Sequence, residues 1–229
     1  MTTIINTLVA ARAYGKVNTS NSAMPGSSFA LPTGECITGA ILSAIEGSVC
    51  HGCYAKKSEA MYPSVRKGWA SNYEKATRLI VENLHGWVSA VAFQIQHHCE
   101  KLGEPYHRWF DSGDLQYVDM LKAIVLVCEK TPNIRHWLPT REATIVKQWR
   151  AEGGEEPANL VIRISSTMIG DAPRRAPHTS TVHYKGTFDE TVHGHDCPKA
   201  NHTHATRSCE NCRNCWDKAI ANVSYQFHR

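Results

Sequence analysis

The chain has 229 residues, 42% of them hydrophobic and 20% charged, a composition typical of a globular protein that can bury a core. No apolar run approaches the roughly 18 residues of a membrane helix, and the amino terminus lacks the pattern of a secretory signal. We therefore expect a cytoplasmic protein with no membrane contact. The net charge of +4 permits contact with a nucleic acid but does not argue for it.

The first elements in chain order are an arm and two helices. Residues 17–36 are rich in Asn, Ser, Pro and Gly, which predicts an irregular arm rather than a helix or a strand. Apolar residues then recur at helical spacing through residues 56–102, and we predict two helices that meet near residues 83–86.

After these helices, short β-like runs alternate with helical stretches along the sequence. This pattern is typical of parallel βαβ units and predicts an α/β fold. The predicted strands cover residues 107–110, 134–138, 160–164, 181–184 and 223–227, and the predicted helices cover residues 115–128, with Asp114 as N-cap, and 141–151.

We expect a single domain over residues 1–229 with three parts. Residues 1–56 form the arm and a first cysteine group, and residues 57–170 form the helical and βαβ core. Residues 171–229 are loop-rich and hold a second cysteine group and a final strand. Long loops in compact domains are usually functional or held by something other than a core, and here we expect a metal centre to staple them.

Nine cysteines are many for a chain in a reducing compartment, where clustered cysteines indicate metal binding or catalysis. Cys36, Cys50 and Cys53 form the first group. Three thiolates would fill three corners of a four-iron cluster and leave the fourth iron open for a substrate or cofactor. An isolated redox or zinc-binding C-x-x-C pair is the competing interpretation.

The second cysteine group is a C-x-x-C-x-x-C run with a more distant fourth member. Its members are Cys197, Cys209, Cys212 and Cys215. Such a run is typical of [4Fe-4S] ligation, and four ligands would close the centre. Zinc is the alternative metal, with four cysteines or with nearby histidines among its ligands, although we expect none of the histidines to bind. Cys99 and Cys128 lie on apolar helix faces, and we interpret both as core residues.

Polar residues follow three of the predicted strands, where ligands collect in parallel α/β proteins. They are Asp111, Ser112, Gly113 and Asp114 after the first strand, Arg141 after the second, and Ser165, Ser166 and Thr167 after the third. Taken singly, each of these residues has an ordinary structural explanation, such as helix capping by Asp114. As a set at one sheet edge they predict a pocket for a small-molecule cofactor or substrate.

Several segments together resemble a bacteriophage family, the gene product 88 family, over nearly the whole chain. The resemblance is carried by residues 21–36, by Cys50-x-x-Cys53-Tyr54-Ala55, by residues 108–115, by the terminal cysteine run and by Val223-Ser224-Tyr225-x-x-His228. The function of this family is unassigned, so the resemblance implies a phage context and the cytoplasm of the host cell rather than an activity.

A looser resemblance connects the chain with radical-SAM enzymes. A Cys-x-x-Cys-Tyr motif, then a helix, then a strand ending in Ser112-Gly113-Asp114 is similar to their cluster motif and their Gly-Gly-Glu stretch, which receives the amine of S-adenosylmethionine. The chain departs from the usual C-x-x-x-C-x-x-C spacing, because 13 residues separate Cys36 from Cys50.

The radical-SAM resemblance implies a partial parallel barrel and a set of site residues. Tyr54, Ser112, Gly113 and Asp114 would bind the cofactor, and Ser112, Asp114 and Arg141 would carry the chemistry. The first cysteine group would hold the open cluster and the second group an auxiliary cluster.

Three functions follow as hypotheses. The first is a radical-SAM-like redox enzyme. The second is a phage accessory protein with structural or sensory iron–sulfur clusters that binds a nucleic acid or a protein partner. The third is a zinc-stapled domain without redox chemistry.

Overall fold

The fold is known here from a computed structural model, which describes residues 5–19, 23–200 and 208–227. The described helices are α1 Leu8–Arg12, α2 Ile37–Leu42, α3 Tyr54–Met61, α4 Pro63–Glu82, α5 Leu84–Leu102, α6 Val118–Lys130, α7 Ala143–Ala151 and α8 Glu190–His193. The described strands are β1 Ser27–Phe29, β2 Tyr106–Trp109, β3 Arg135–Thr140, β4 Leu160–Ser165, β5 Thr179–His183, β6 His195–Asp196 and β7 Asn222–Gln226.

The seven strands form one sheet in the order β1-β2-β3-β4-β5-β7-β6, and every neighbouring pair is parallel. The chain therefore visits neighbouring positions from β1 to β5 and then places β7 between β5 and β6. This arrangement confirms the predicted mixed α/β class. It also brings all carboxyl ends of the strands to one edge of the sheet, which we call the carboxyl edge.

Side chains alternate between the two faces of each strand, and each face buries its own core. Leu138 and Ile162 pair in register and point into the core under the helices. Trp137, which adjoins Leu138, and Val223 on β7 lie in a smaller core on the opposite face, which contains Cys197 and other residues of the carboxy-terminal part. The loop-rich carboxy-terminal part thus covers the face that the long helices leave open.

The helical stretch predicted for residues 56–102 is confirmed with its junction at Asn83, but it contains three helices rather than two, because α3 ends at Met61 and Pro63 starts α4. The Asn83 side chain accepts a hydrogen bond from the backbone N–H of Gly86, which starts α5. Trp87, Val91 and Ile95 then recur every fourth residue and are buried, so this face of α5 packs on the sheet.

Three expectations about local structure are wrong. The arm over residues 17–36 contains β1, a three-residue edge strand that pairs with β2. Helix α6 begins at Val118 rather than at residue 115, and its N-cap is Tyr117. Asp114 does not cap this helix because its carboxylate bonds to the end of the neighbouring strand β3.

Two histidines lie side by side in the core under the helices. His107 and His136 are both 0% exposed, and their ring centroids are 5.5 Å apart. Ser27 bonds to His107 and Thr131 bonds to His136, each at 2.8 Å. Burial lowers the pKa of His107, and it lowers the pKa of His136 to about 3, so both rings are neutral in the folded protein.

Candidate functional site at the carboxyl edge

The segment from Cys36 to Cys53, which we call the first cysteine loop, lies over the carboxyl edge of the sheet. Three hydrogen bonds tie the loop and the residue after it to the segments that follow β2, β3 and β4. They run from Tyr54 Oη to the Asp111 carbonyl (2.9 Å), from Thr38 Oγ1 to Glu142 (2.8 Å) and from the Val49 amide to the Thr167 carbonyl (3.0 Å). The loop is thus fixed above three neighbouring strands.

The thiols of the first cysteine loop come together although 13 residues separate Cys36 from Cys50. Gly39 lies between these two cysteines, because a Cβ atom placed there would stand 3.6 Å from each sulfur. Burial raises the pKa of Cys36 to about 12 and also raises that of Cys50, and the charge of Cys53 adds to both effects. All three predicted ligands therefore lie within electrostatic reach of one another.

Arg141 and Asp114 are the charged neighbours of these thiols. The positive charge of Arg141 lowers the pKa of Cys36 and Cys50 against the larger effect of burial, whereas Asp114 raises both. The Nε atom of Arg141 is buried and has no hydrogen-bond partner among the described residues. A guanidinium in this position can balance the negative charge of a thiolate-bound centre or bind an anionic group of a ligand.

Asp114 is buried, and structural hydrogen bonds occupy its carboxylate. Oδ1 accepts from Thr140 Oγ1 at 2.5 Å and from the Leu115 amide at 2.8 Å, and Oδ2 accepts from the Arg141 amide at 2.9 Å. Burial raises its pKa to about 6, although these bonds and Arg141 act in the opposite direction. Asp114 therefore connects the ends of β2 and β3 and sets the position of Arg141.

Asp111 and Ser112 carry the unpartnered polar atoms that follow β2. Oδ2 of Asp111 accepts a hydrogen bond from Ser28 Oγ at 2.9 Å, whereas Oδ1 is buried without a partner among the described residues. The hydroxyl of Ser112, which is 4% exposed, is also without one. Buried polar atoms of this kind usually have partners, so a polar ligand or ordered water is expected there.

The backbone near Asp111 has a positive φ angle at two residues. Phe110 has φ of 53°, a left-handed conformation that is uncommon for a bulky residue and typical of functional sites. Gly113 has φ of 79°, and a Cβ atom there would approach Leu31 Cβ within 2.5 Å. Glycine is therefore required at position 113 for packing, independently of any ligand.

The second cysteine group gathers on the face of the sheet opposite to the long helices. Burial raises the pKa of Cys197 to about 11 and that of Cys215 to about 12, and the charges of the other cysteines in the group contribute to these shifts. The sulfur of Cys215 lies 3.2 Å from the hydroxyl of Tyr225 on β7. The four predicted ligands thus lie within electrostatic reach of one another, and Cys215 contacts the last described strand.

Arg163 organises the loop that carries Cys215, a role that sequence reasoning missed. It is 0% exposed and lies on β4. Its guanidinium donates to six backbone carbonyls, those of Cys215, Thr179, Ile220, Ala221, Asn214 and Asp217. An arginine within a strand of buried residues is the only sequence signal for this role, since lone arginines are seldom buried without partners.

Arg108 lies between Asp111 and the second cysteine group. Its guanidinium stacks over Trp137, 4.6 Å from the ring centroid, and its charge interacts with Asp111 on one side and Cys215 on the other. It also acts on Cys209, whose pKa it lowers against the larger effect of burial. Arg108 is therefore a positively charged neighbour of the second cysteine group, as Arg141 is of the first.

Two further outcomes concern the remaining cysteines and histidines. Cys99 and Cys128 are buried in the core, at 4% and 0% exposure, which confirms their interpretation as core residues. Within residues 5–19, 23–200 and 208–227, no three His, Cys, Asp or Glu side chains converge closely enough to hold one metal ion. His202 and His204 lie outside the described residues.

A family model described as gene product 88 matches residues 6–218. The chain belongs to the gene product 88 family. This confirms the first of the two resemblances seen in the sequence. No curated protein and no solved structure matches the chain.

No described helix of this family member combines the length and the apolar composition that a membrane crossing requires.

Proposed function

We propose that this protein is an iron–sulfur enzyme of radical-SAM-like type, in which Cys36, Cys50 and Cys53 hold an open four-iron cluster. The observation that supports the proposal is the meeting of three thiols over the carboxyl edge, beside Arg141 and the unpartnered oxygen of Asp111. In the proposal, the second cysteine group holds an auxiliary cluster, and the sheet forms a partial barrel of the radical-SAM kind.

The residues present fit a cluster better than a lone ion. A single zinc ion needs its ligands about one bond length of 2.0–2.3 Å from one point, whereas each thiolate of a four-iron cluster binds a different iron atom. The thiols of a cluster site therefore stand further apart. Arg141 provides the positive charge that a buried, negatively charged centre requires.

The bound cluster would supply an open iron position and one-electron chemistry. This chain's own residues would bind and orient the ligand. The sequence assigned the amine of S-adenosylmethionine to Asp114, but the hydrogen bonds of Asp114 are committed to Thr140, Leu115 and Arg141. In the proposal the amine therefore binds Asp111, whose Oδ1 is unpartnered among the described residues, and Asp114 positions Arg141.

The accessory-protein hypothesis has its own support in the second cysteine group. Cys197 and Cys215 are buried at 8% exposure, and Arg163 holds the carbonyls around Cys215. Such a closed environment suits a structural or sensory centre. In that case both clusters would hold the fold or sense oxidation, and no small ligand would reach an iron atom.

Anaerobic purification followed by assays of iron, acid-labile sulfide and zinc tests the metal. We expect a brown protein with iron and sulfide near the amount for two clusters, because the seven ligands fall into a group of three and a group of four. A colourless, folded protein that contains only zinc would refute the iron–sulfur assignment and support the zinc-stapled domain.

Paramagnetic resonance of the reduced protein tests the open position. We expect S-adenosylmethionine to perturb the signal of one cluster and not of the other. Asp111→Asn should weaken this response with the iron content unchanged. An unperturbed spectrum at saturating S-adenosylmethionine, with both clusters intact, would leave the accessory-protein hypothesis as the better one.

A further inference from the structure

We propose that the surface formed by α3 and the start of α4, directly after the first cysteine loop, binds a single-stranded nucleic acid. We call this the α3–α4 surface and define it by Tyr54, Lys56, Lys57, Tyr62, Arg66 and Lys67, all of them exposed. The inference does not rest on the proposed function, because it follows from charge and exposed rings alone.

Positive charge is concentrated on this segment. Residues 54–69 contain four cations and one carboxylate, Glu59, and so carry a net charge of +3, against +4 for the whole chain. The carboxylate of Glu59 accepts hydrogen bonds from the backbone and the hydroxyl of Thr33. None of the ion pairs among the described residues involves the four cations, so they are available for phosphates.

Large apolar side chains are exposed in the same region. Six of the eleven exposed large hydrophobic residues of the described chain lie between positions 37 and 62. Two of these are tyrosines on the α3–α4 surface, Tyr54 at 65% exposure and Tyr62 at 53%. An exposed aromatic ring is a stacking platform for an unpaired base, and bases stack on it with little dependence on sequence.

Tyr54 is held in place while its ring stays open. Its hydroxyl donates a hydrogen bond to the Asp111 carbonyl, so the side chain is anchored at one end. An anchored ring loses little conformational freedom when a base stacks on it. Tyr62 lies between the two pairs of cations along the chain and forms the junction of α3 and α4.

This combination favours a nucleic acid over the other anionic partners. A membrane surface or an acidic protein also attracts lysine and arginine and can accommodate tyrosine, but only a single-stranded nucleic acid has unpaired bases that stack on the open face of the rings. Single strands suit the surface better than a duplex, because bases in a duplex already stack on one another. The position of Tyr54 beside Cys53 would place a bound strand next to the first cysteine group.

Fluorescence anisotropy with a labelled oligothymidine and the full chain tests the inference. Lys56→Gln/Lys57→Gln should weaken binding by about tenfold or more at low salt. It should also reduce the slope of log affinity against log salt by about 1.4, since each phosphate contact contributes about 0.7 for single strands. Tyr62→Ala should weaken binding roughly fivefold or more at unchanged salt slope.

The matched control is Lys101→Gln/Lys130→Gln, which removes the same charge at the opposite edge of the sheet. We expect it to bind like the parent chain. Equal losses in both double variants, or an unchanged affinity in Tyr62→Ala, would overturn the inference because they indicate non-specific charge attraction. Competition by polyglutamate or by anionic vesicles as strong as that by unlabelled oligothymidine would also overturn it, in favour of an acidic protein or a membrane surface.

Discussion

Individual side chains at the carboxyl edge divide into those that build the site and those that are free to bind. Asp111 and Asp114 illustrate the division, because only three positions separate two carboxylates with different surroundings. Asp114 accepts hydrogen bonds from three donors, whereas one carboxylate oxygen of Asp111 has no partner among the described residues. The sequence places both acids after a strand, but it does not indicate which of them would accept hydrogen bonds from the neighbouring strand.

Substitution of the two carboxylates should have effects of different size. Asp114→Ala leaves three buried donors without an acceptor and should lower the free energy of unfolding by about 2–4 kcal/mol. Asp111→Ala removes the hydrogen bond from Ser28 and the negative charge beside Arg108, and should cost about 1–2 kcal/mol. Urea unfolding of the two variants measures the difference. Equal losses would contradict the distinction between a positioning residue and a binding residue.

Arg163 gives a second prediction for a single side chain. Arg163→Met leaves the carbonyls of the loop around Cys215 without a donor and should cost at least about 3 kcal/mol of unfolding free energy. Arg135→Met serves as the control, because Arg135 is exposed at the start of the neighbouring strand β3. Thermal unfolding monitors both variants, and a Tm for Arg163→Met equal to that of the control would refute the organising role.

Whole strands could be predicted from the sequence where their apolar residues alternate and are also buried. The predicted strands at residues 160–164 and 223–227 match β4 and β7 within one residue, because their apolar residues face a core. Strands β1 and β6 were missed, since segments of three and two residues are too short to show a period. The start of α6 was misplaced because the Asp114 carboxylate bonds to the end of β3 and does not cap the helix.

The carboxy-terminal elements should depend on the second cysteine group. Cys212→Ser should make the segment around Arg213 and Lys218 sensitive to trypsin while the elements from α4 to β4 persist, since metal binding contributes to folding in small metal sites. Limited proteolysis with mass spectrometry detects the cleavage. Cys50→Ser is the matched control and should leave this segment resistant. A parent-like resistance of Cys212→Ser would show that the group is not a structural staple.

The whole molecule carries an acid sensitivity that the sequence did not predict. The sequence contains thirteen histidines, but only the pairing of β2 with β3 shows that His107 and His136 lie together in the buried core. Their pKa values are lowered in the folded state, so the unfolded chain binds more protons below its ordinary histidine pKa of about 6.5. Stability is therefore complete above this pH and falls as the pH decreases towards about 3.

The expected loss is about 1.4 kcal/mol per pH unit for each of the two histidines below pH 6.5. Urea unfolding at a series of pH values between neutral and moderately acidic conditions measures the slope. His136→Leu removes one titrating group and should reduce the slope by about 1.4 kcal/mol per pH unit. A slope that does not change in His136→Leu would contradict this assignment.

The place of β7 between β5 and β6 has a consequence for the order of assembly during synthesis. All four cysteines of the second group precede β7 in the chain, and so does β6, whose strand partner is β7. When the ribosome has made residue 215, the thiols exist but the strand that brings Tyr225 against Cys215 does not. If the second cysteine group binds metal as proposed, the metal would enter a nascent, open site that the arriving strand then closes. A fully folded apoprotein should then take up metal more slowly than a refolding one.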